Sequence, residues 1–127
     1  MSENKQKSVL IIESDDIILE NLSKRFKKQG MLVISTKDGY DGYTRACNES
    51  PDFIISETLL PSMNGFRISR LLKFDERFKD IFIILITRND VGTDQNMFEA
   101  SGANEILAKP FRFKDLIELM IPVEITE

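Results

Sequence analysis

Five short apolar runs, each followed by a stretch with helical spacing, constrain this chain more than any other feature. The runs cover residues 8–12, 31–35, 53–56, 81–86 and 105–108. Most are continuous stretches of Ile, Val, Leu and Phe rather than alternating patterns, as expected of strands buried on both faces. Between the first two, Ile18, Leu22 and Phe26 recur at helical spacing. Ser14 is the candidate N-cap there, Asp15 and Asp16 suit the first turn, and Gly30 suits the C′ position. Residues 40–50 predict a weak helix ending before Pro51. Residues 65–74 predict another, with Ile68, Leu71 and Leu72 on its inner side. A short helix over 96–101 is stopped by Gly102, and a last one over 112–121 is ended by Pro122. Five strand–helix units predict an α/β domain, with a parallel sheet covered by helices on both faces.

The 127 residues, 42% of them hydrophobic, suit one domain. Its core is expected over about residues 8–121, with tails at 1–7 and 122–127. The polar N-terminus lacks the apolar segment of a secretory signal, and no apolar run is long enough for a membrane helix. The single cysteine, Cys47, forms no internal disulfide and reads as a small buried hydrophobe. These features predict a cytoplasmic protein with no membrane association. The absence of histidine removes histidine-based acid–base catalysis and most zinc sites. A net charge of −4 argues against nucleic acid as a partner. The basic run over residues 23–28 reads as a solvated helix face around an inward Phe26.

In a parallel α/β sheet, ligands bind outside the C-terminal ends of the strands. The residues expected there are Glu13 and Ser14 after the first strand, Glu57 after the third, Thr87 after the fourth and Lys109 after the fifth. Two carboxylates, two hydroxyls and one ammonium thus converge on one edge.

Four segments carry a family resemblance: "LIIESDD" at residues 10–16, "SETLLPSMNG" at 56–65, "LIT" at 85–87 and "AKPF" at 108–111. With these the chain resembles the receiver domain of bacterial response regulators, over roughly residues 8–120. The resemblance implies a flavodoxin-like, doubly wound (βα)5 fold with strand order 2-1-3-4-5, in a two-component phosphorelay. It implies an Asp phosphoacceptor where this chain has Glu57, and a pair of metal-binding acids where it has Glu13 and Ser14. It implies phosphoryl contacts from Thr87 and Lys109, and a switch aromatic where this chain has Ile106.

Three of these positions depart from the family pattern. Ser14 removes a charge and a ligand from any Mg²⁺ site, and Asp15 and Asp16 are expected to be turned away by the helix start. Weak or absent Mg²⁺ binding is expected, with Glu13 and Glu57 as the only metal ligands if any bind. Glu57 carries its carboxylate one methylene further out, and a shift of about 1 Å can slow a positioned reaction ~100-fold. Glu57 is expected to reach Lys109, either as a partial phosphate mimic or as a structural ion pair. Ile106 has no ring to swing.

The expected function is therefore a pseudo-receiver: not an enzyme, independent of phosphorylation, and acting through protein–protein contacts. By resemblance, the face is the fourth helix, fifth strand and fifth helix, where Met97 or Phe98 and Phe113 are candidates. The partner would be a histidine kinase or an effector domain. The alternatives are a working Mg²⁺-dependent response regulator phosphorylated by a histidine kinase and, more remotely, a flavodoxin-like cofactor binder, disfavoured because the acidic "ESDD" loop repels phosphate.

Overall fold

The computed structural model describes residues 6–125, with side chains through Ile121; the outermost parts of the two expected tails, 1–5 and 126–127, lie outside the described residues. The elements are β1 (Ser8–Ile12), α1 (Asp16–Lys28), β2 (Leu32–Thr36), α2 (Gly39–Glu49), β3 (Phe53–Glu57), α3 (Gly65–Lys73), β4 (Phe82–Thr87), a 3-10 turn (Val91–Asp94), α4 (Gln95–Ser101), β5 (Glu105–Ala108) and α5 (Phe113–Ile125). All strand pairs are parallel, in the order β2-β1-β3-β4-β5. This is the doubly wound flavodoxin-like arrangement.

Successive strand side chains point to opposite faces, and the two cores divide accordingly. Val9, Ile11, Phe53, Ile55, Ile84 and Ile86 pack beneath α1 and α5, against Leu22, Phe26, Leu116 and Met120. Leu10, Ile12, Ile54, Ile83 and Leu85 pack beneath α2 and α3, against Ala46, Ile68 and Leu72. This alternation decides which strand-end side chains meet.

Several expectations need correcting. β2 and β4 each begin one residue later than the apolar runs. Met31 and Ile81 are buried but lie just outside the ladder, because burial beneath a helix gives a loop residue the same apolar signature as a strand. The α1 cap is Asp15, whose side chain accepts from the backbone N–H groups of Ile17 and Ile18, and not Ser14. Leu71 faces outward, leaving Ile68 and Leu72 to the core. α5 passes through Pro122 to Ile125; proline fixes a helical φ, so near a helix end the loss is confined to one donated hydrogen bond. Gly30 does adopt the left-handed C′ conformation, at φ +85°.

Candidate functional site

The site follows from strand parity. Glu13 continues the Val9–Ile11 row, Glu57 the Phe53–Ile55 row and Lys109 the row of Leu107, so all three belong to the face beneath α1 and α5. They meet there. Lys109 Nζ donates to Glu57 Oε2 at 3.0 Å and to Glu13 Oε2 at 3.1 Å. Glu13 and Glu57 are 2% and 1% exposed, so both carboxylates depend on protein partners. The ladder continues into the loop, where the Lys109 N–H donates to the Thr87 carbonyl at 2.7 Å and positions the lysine.

Ser14 is drawn into the same cluster. Its hydroxyl donates to Glu57 Oε1 at 2.7 Å and its backbone N–H to the same oxygen at 3.2 Å. The hydroxyl therefore serves Glu57, while Asp15, one residue on, caps α1. The backbone N–H of Asp15 donates to Glu13 Oε2 at 3.1 Å. Asp15 and Asp16 are both directed away from the cluster, as expected: the first is the cap and the second pairs with Lys37 at 2.7 Å.

Arg88 completes the set and was not foreseen. Its Nε lies 3.3 Å from Glu57 Oε2. The signal was present in the parity of β4: Ile84 and Ile86 face α1 and α5, and the next position in that row is 88. Glu57 also pairs in register with Ile86, two residues before the arginine. With Arg88 included, two carboxylates face two cations and the formal sum of the cluster is zero, against −1 for Glu13, Glu57 and Lys109 alone.

The two acids respond to this environment in opposite directions. Burial pushes the Glu13 carboxyl above its ordinary value, and the negative charge of Glu57 adds to the shift; the bonds from Asp15 and Lys109 only partly oppose it. Burial acts on Glu57 in the same sense and is its largest single influence. The combined donation from Ser14 and Lys109 outweighs it and holds Glu57 below the ordinary carboxylate range.

Thr87 and Ile106 do not join the cluster. Both continue rows of the opposite face, that of Ile83 and Leu85. The Thr87 hydroxyl donates to Asp94 Oδ2 at 2.5 Å, and Asn89 donates to the other Asp94 oxygen at 3.3 Å. Asp94, 7% exposed, was hidden from sequence reading inside a run that looks like a solvated loop. Ile106 is half-buried against the core beneath α2 and α3. Above the cluster, an open cleft of about 890 Å³ runs between α1 and the β5–α5 loop, lined by Leu22, Arg25, Arg88, Phe111, Arg112 and Phe113 among others.

A five-stranded doubly wound sheet with acids, a hydroxyl and a lysine at its strand ends defines a two-component receiver module. The chain matches the response regulator receiver domain over residues 9–121 and belongs to that family. Protein PilH of Pseudomonas aeruginosa is 29% identical over 110 residues, covering 87% of this chain and 91% of PilH. The chemotaxis response regulator CheY4 of Vibrio cholerae superposes with a TM-score of 0.85 at 24% identity, covering 94% of this chain and 99% of that one. The receiver domain of a Pseudomonas aeruginosa sensor histidine kinase, solved with a magnesium ion coordinated in its active-site cleft, superposes with a TM-score of 0.83 at 23% identity, covering 93% and 97%. The last two are similarities of fold. Among the described residues no helix is long and apolar enough to cross a membrane.

Proposed function

We propose that this receiver domain signals without phosphorylation, through protein binding, and that Glu57 is a structural counter-ion. One observation carries the reading: the Glu57 carboxylate is already fully engaged. A carboxylate offers about four lone-pair sites. Here one oxygen accepts twice from Ser14 and the other faces Lys109 and Arg88. Attack on a phosphorus atom requires one oxygen to release its partners: Oε1 would give up both donors of Ser14, and Oε2 the two cations that compensate the buried charge.

The donor set does not fit Mg²⁺. That ion takes near-octahedral oxygen ligands, usually including one or two fixed carboxylates. Glu57 is engaged at both oxygens, Glu13 Oε2 already accepts twice, and the cluster has no net negative charge to draw a dication. Thr87, turned toward Asp94, is not drawn to Glu57; this favours the ion-pair role of Glu57 over phosphate mimicry.

By resemblance the partner is a protein of a two-component pathway, approaching the α4–β5–α5 face. Met97 and Ile121 are exposed there at 51% and 39%, while Phe98 and Phe113 are half-buried on the cores. The test is incubation with acetyl phosphate and Mg²⁺ followed by intact mass. The expected result is no phosphoryl adduct. A stable adduct that disappears in Glu57→Gln would overturn the proposal in favour of a working receiver.

A further inference from the structure

The solvent side of α3 carries a stripe that folding does not explain. Arg67, Arg70, Leu71 and Phe74 fall at i, i+3, i+4 and i+7, on one line along the helix and its C-cap. The opposite side, with Ile68 and Leu72, is buried in the core. A helix needs one apolar face to fold, yet here the outer line is also half apolar. Phe74 is 70% exposed and Leu71 36%, and Met97 of the adjoining α4 is 51% exposed. Clefts of about 490 and 300 Å³ flank the stripe, one toward α2 and one toward α4, and Arg67 and Arg70 line both. The ridge therefore stands between two grooves.

Its two arginines differ in a useful way. Arg70 is fixed: it donates to the Ala100 carbonyl at 2.7 Å, and its guanidinium sits 4.9 Å from the centre of the Phe74 ring. A guanidinium and an aromatic ring held in place before binding lose little freedom on contact, and these are the residue types that dominate interface energetics. Arg67 is exposed and has no acidic partner among the described residues. Asp75, the acid in the α2-side cleft, is held by Arg77 at 2.8 Å. The stripe is thus locally cationic on a chain whose net charge is −4.

We propose that α3 and the α3–α4 groove dock an acidic amphipathic helix of a partner protein. Grooves between helices accept the side-chain ridges of a further helix. Apolar residues of the partner at helical spacing would fill the two clefts beside Leu71, Phe74 and Met97, and carboxylates between them would meet Arg67 and Arg70. The proposal rests on the reading that this domain acts by protein binding. It places the contact on α3, joined through Met97 to the face implied by resemblance.

The test selects a displayed library of helix-forming peptides of about fifteen residues against the full chain, without Mg²⁺ or a phosphodonor. The expected consensus has Leu, Phe or Met at helical spacing with Asp or Glu between. A synthesised selected peptide should shift α3 and α4 amides in nitrogen–proton NMR spectra. Phe74→Ala and Arg67→Glu should each weaken it by about thirtyfold or more, with unchanged thermal melts because both side chains are exposed, and Leu32→Ala, on the far sheet edge, should leave it unaffected. A basic consensus, no consensus in selections run both without and with acetyl phosphate and Mg²⁺, or shifts confined to β5 and α5 would overturn the docking surface. Concentration-dependent self-association abolished by Phe74→Ala would assign the stripe to a second copy of this chain and overturn the partner. Binding that appears only after acetyl phosphate treatment would overturn the phosphorylation-independent reading and leave the surface standing.

Discussion

Lys109→Met is the perturbation that most directly interrogates the buried cluster. Lys109 is 13% exposed by side chain and contacts carboxylates that are 3% and 1% exposed. A unit ion pair at about 3 Å attracts by roughly 5 kcal/mol at an effective dielectric near 20, and Lys109 makes two such contacts. Much of that attraction is offset by the desolvation of the ammonium, which the substitution relieves. Removing one partner of a buried pair typically costs about 3–5 kcal/mol, because the remaining charge is left uncompensated. Glu13 would then have no cation partner among the described residues, and Glu57 would keep only Arg88, whose side chain is 60% exposed and screened by solvent. A loss of about 3–5 kcal/mol is a large part of the ~5–15 kcal/mol that holds a domain together. In urea, with a slope near 2 kcal/mol per molar, it moves the midpoint by roughly 2 M. The loss should shrink on acidification, since without Lys109 both folded-state carboxyls shift upward and folding then takes up protons. Adding Glu57→Gln should recover part of it, with a coupling of about 1–3 kcal/mol in the double-mutant cycle. A loss below about 1 kcal/mol, unchanged between neutral and acid pH, would refute the claim that this cluster is a desolvated ionic unit.

Two further outcomes follow from the same geometry. Carboxyl-carbon NMR should find the Glu13 midpoint above 4.5 and the Glu57 midpoint below it; the stabilisation from Glu57 is present above pH 4.5 and lost as pH falls through its lowered midpoint, whereas Glu13 opposes folding above its raised midpoint and that penalty is relieved as pH falls through it toward 4.5. The combination of Ser14→Asp, Glu57→Asp and Arg88→Ala should restore Mg²⁺ binding by calorimetry and labelling by acetyl phosphate, while Glu57→Asp alone should label at least ~100-fold more slowly than the combination.

How much of this was legible in the sequence depends on what each residue's position had to encode. The order of elements and the two cores follow from apolar runs and helical spacing, so Ile68, Leu72 and Phe26 fall where the pattern puts them. The strand-end acids were legible because a charged residue closing a buried run has few places to go. Ser14 and Asp15 are both competent caps, and local chemistry could not choose between them; the choice is made by Glu57, which lies 43 residues away in sequence and takes the serine hydroxyl. Asp94 was illegible because its burial depends on Thr87 and Asn89 satisfying it, which composition does not report. Arg88 was legible in principle, through the parity of Ile84 and Ile86, but only once strand direction and face are fixed together.

Ser14, Glu57 and Arg88 are physically coupled, since the Glu57 carboxylate contacts both of the others. An acid at position 14 beside the longer Glu57 would crowd three carboxylates around one lysine, and at least one of them would resist ionisation. Serine there turns a repelling neighbour into a double donor to Glu57 Oε1. Arg88 then supplies the second positive charge, which brings the cluster to zero without a metal ion. Glu57 takes donors from Ser14 and charge from Arg88, and loss of either leaves its buried carboxylate less well compensated. Reverting Glu57 alone would shorten the reach to Lys109 while Ser14 and Arg88 still lack the charge and vacancy that Mg²⁺ requires. Recovery of phosphorylation should therefore be strongly non-additive across the three positions.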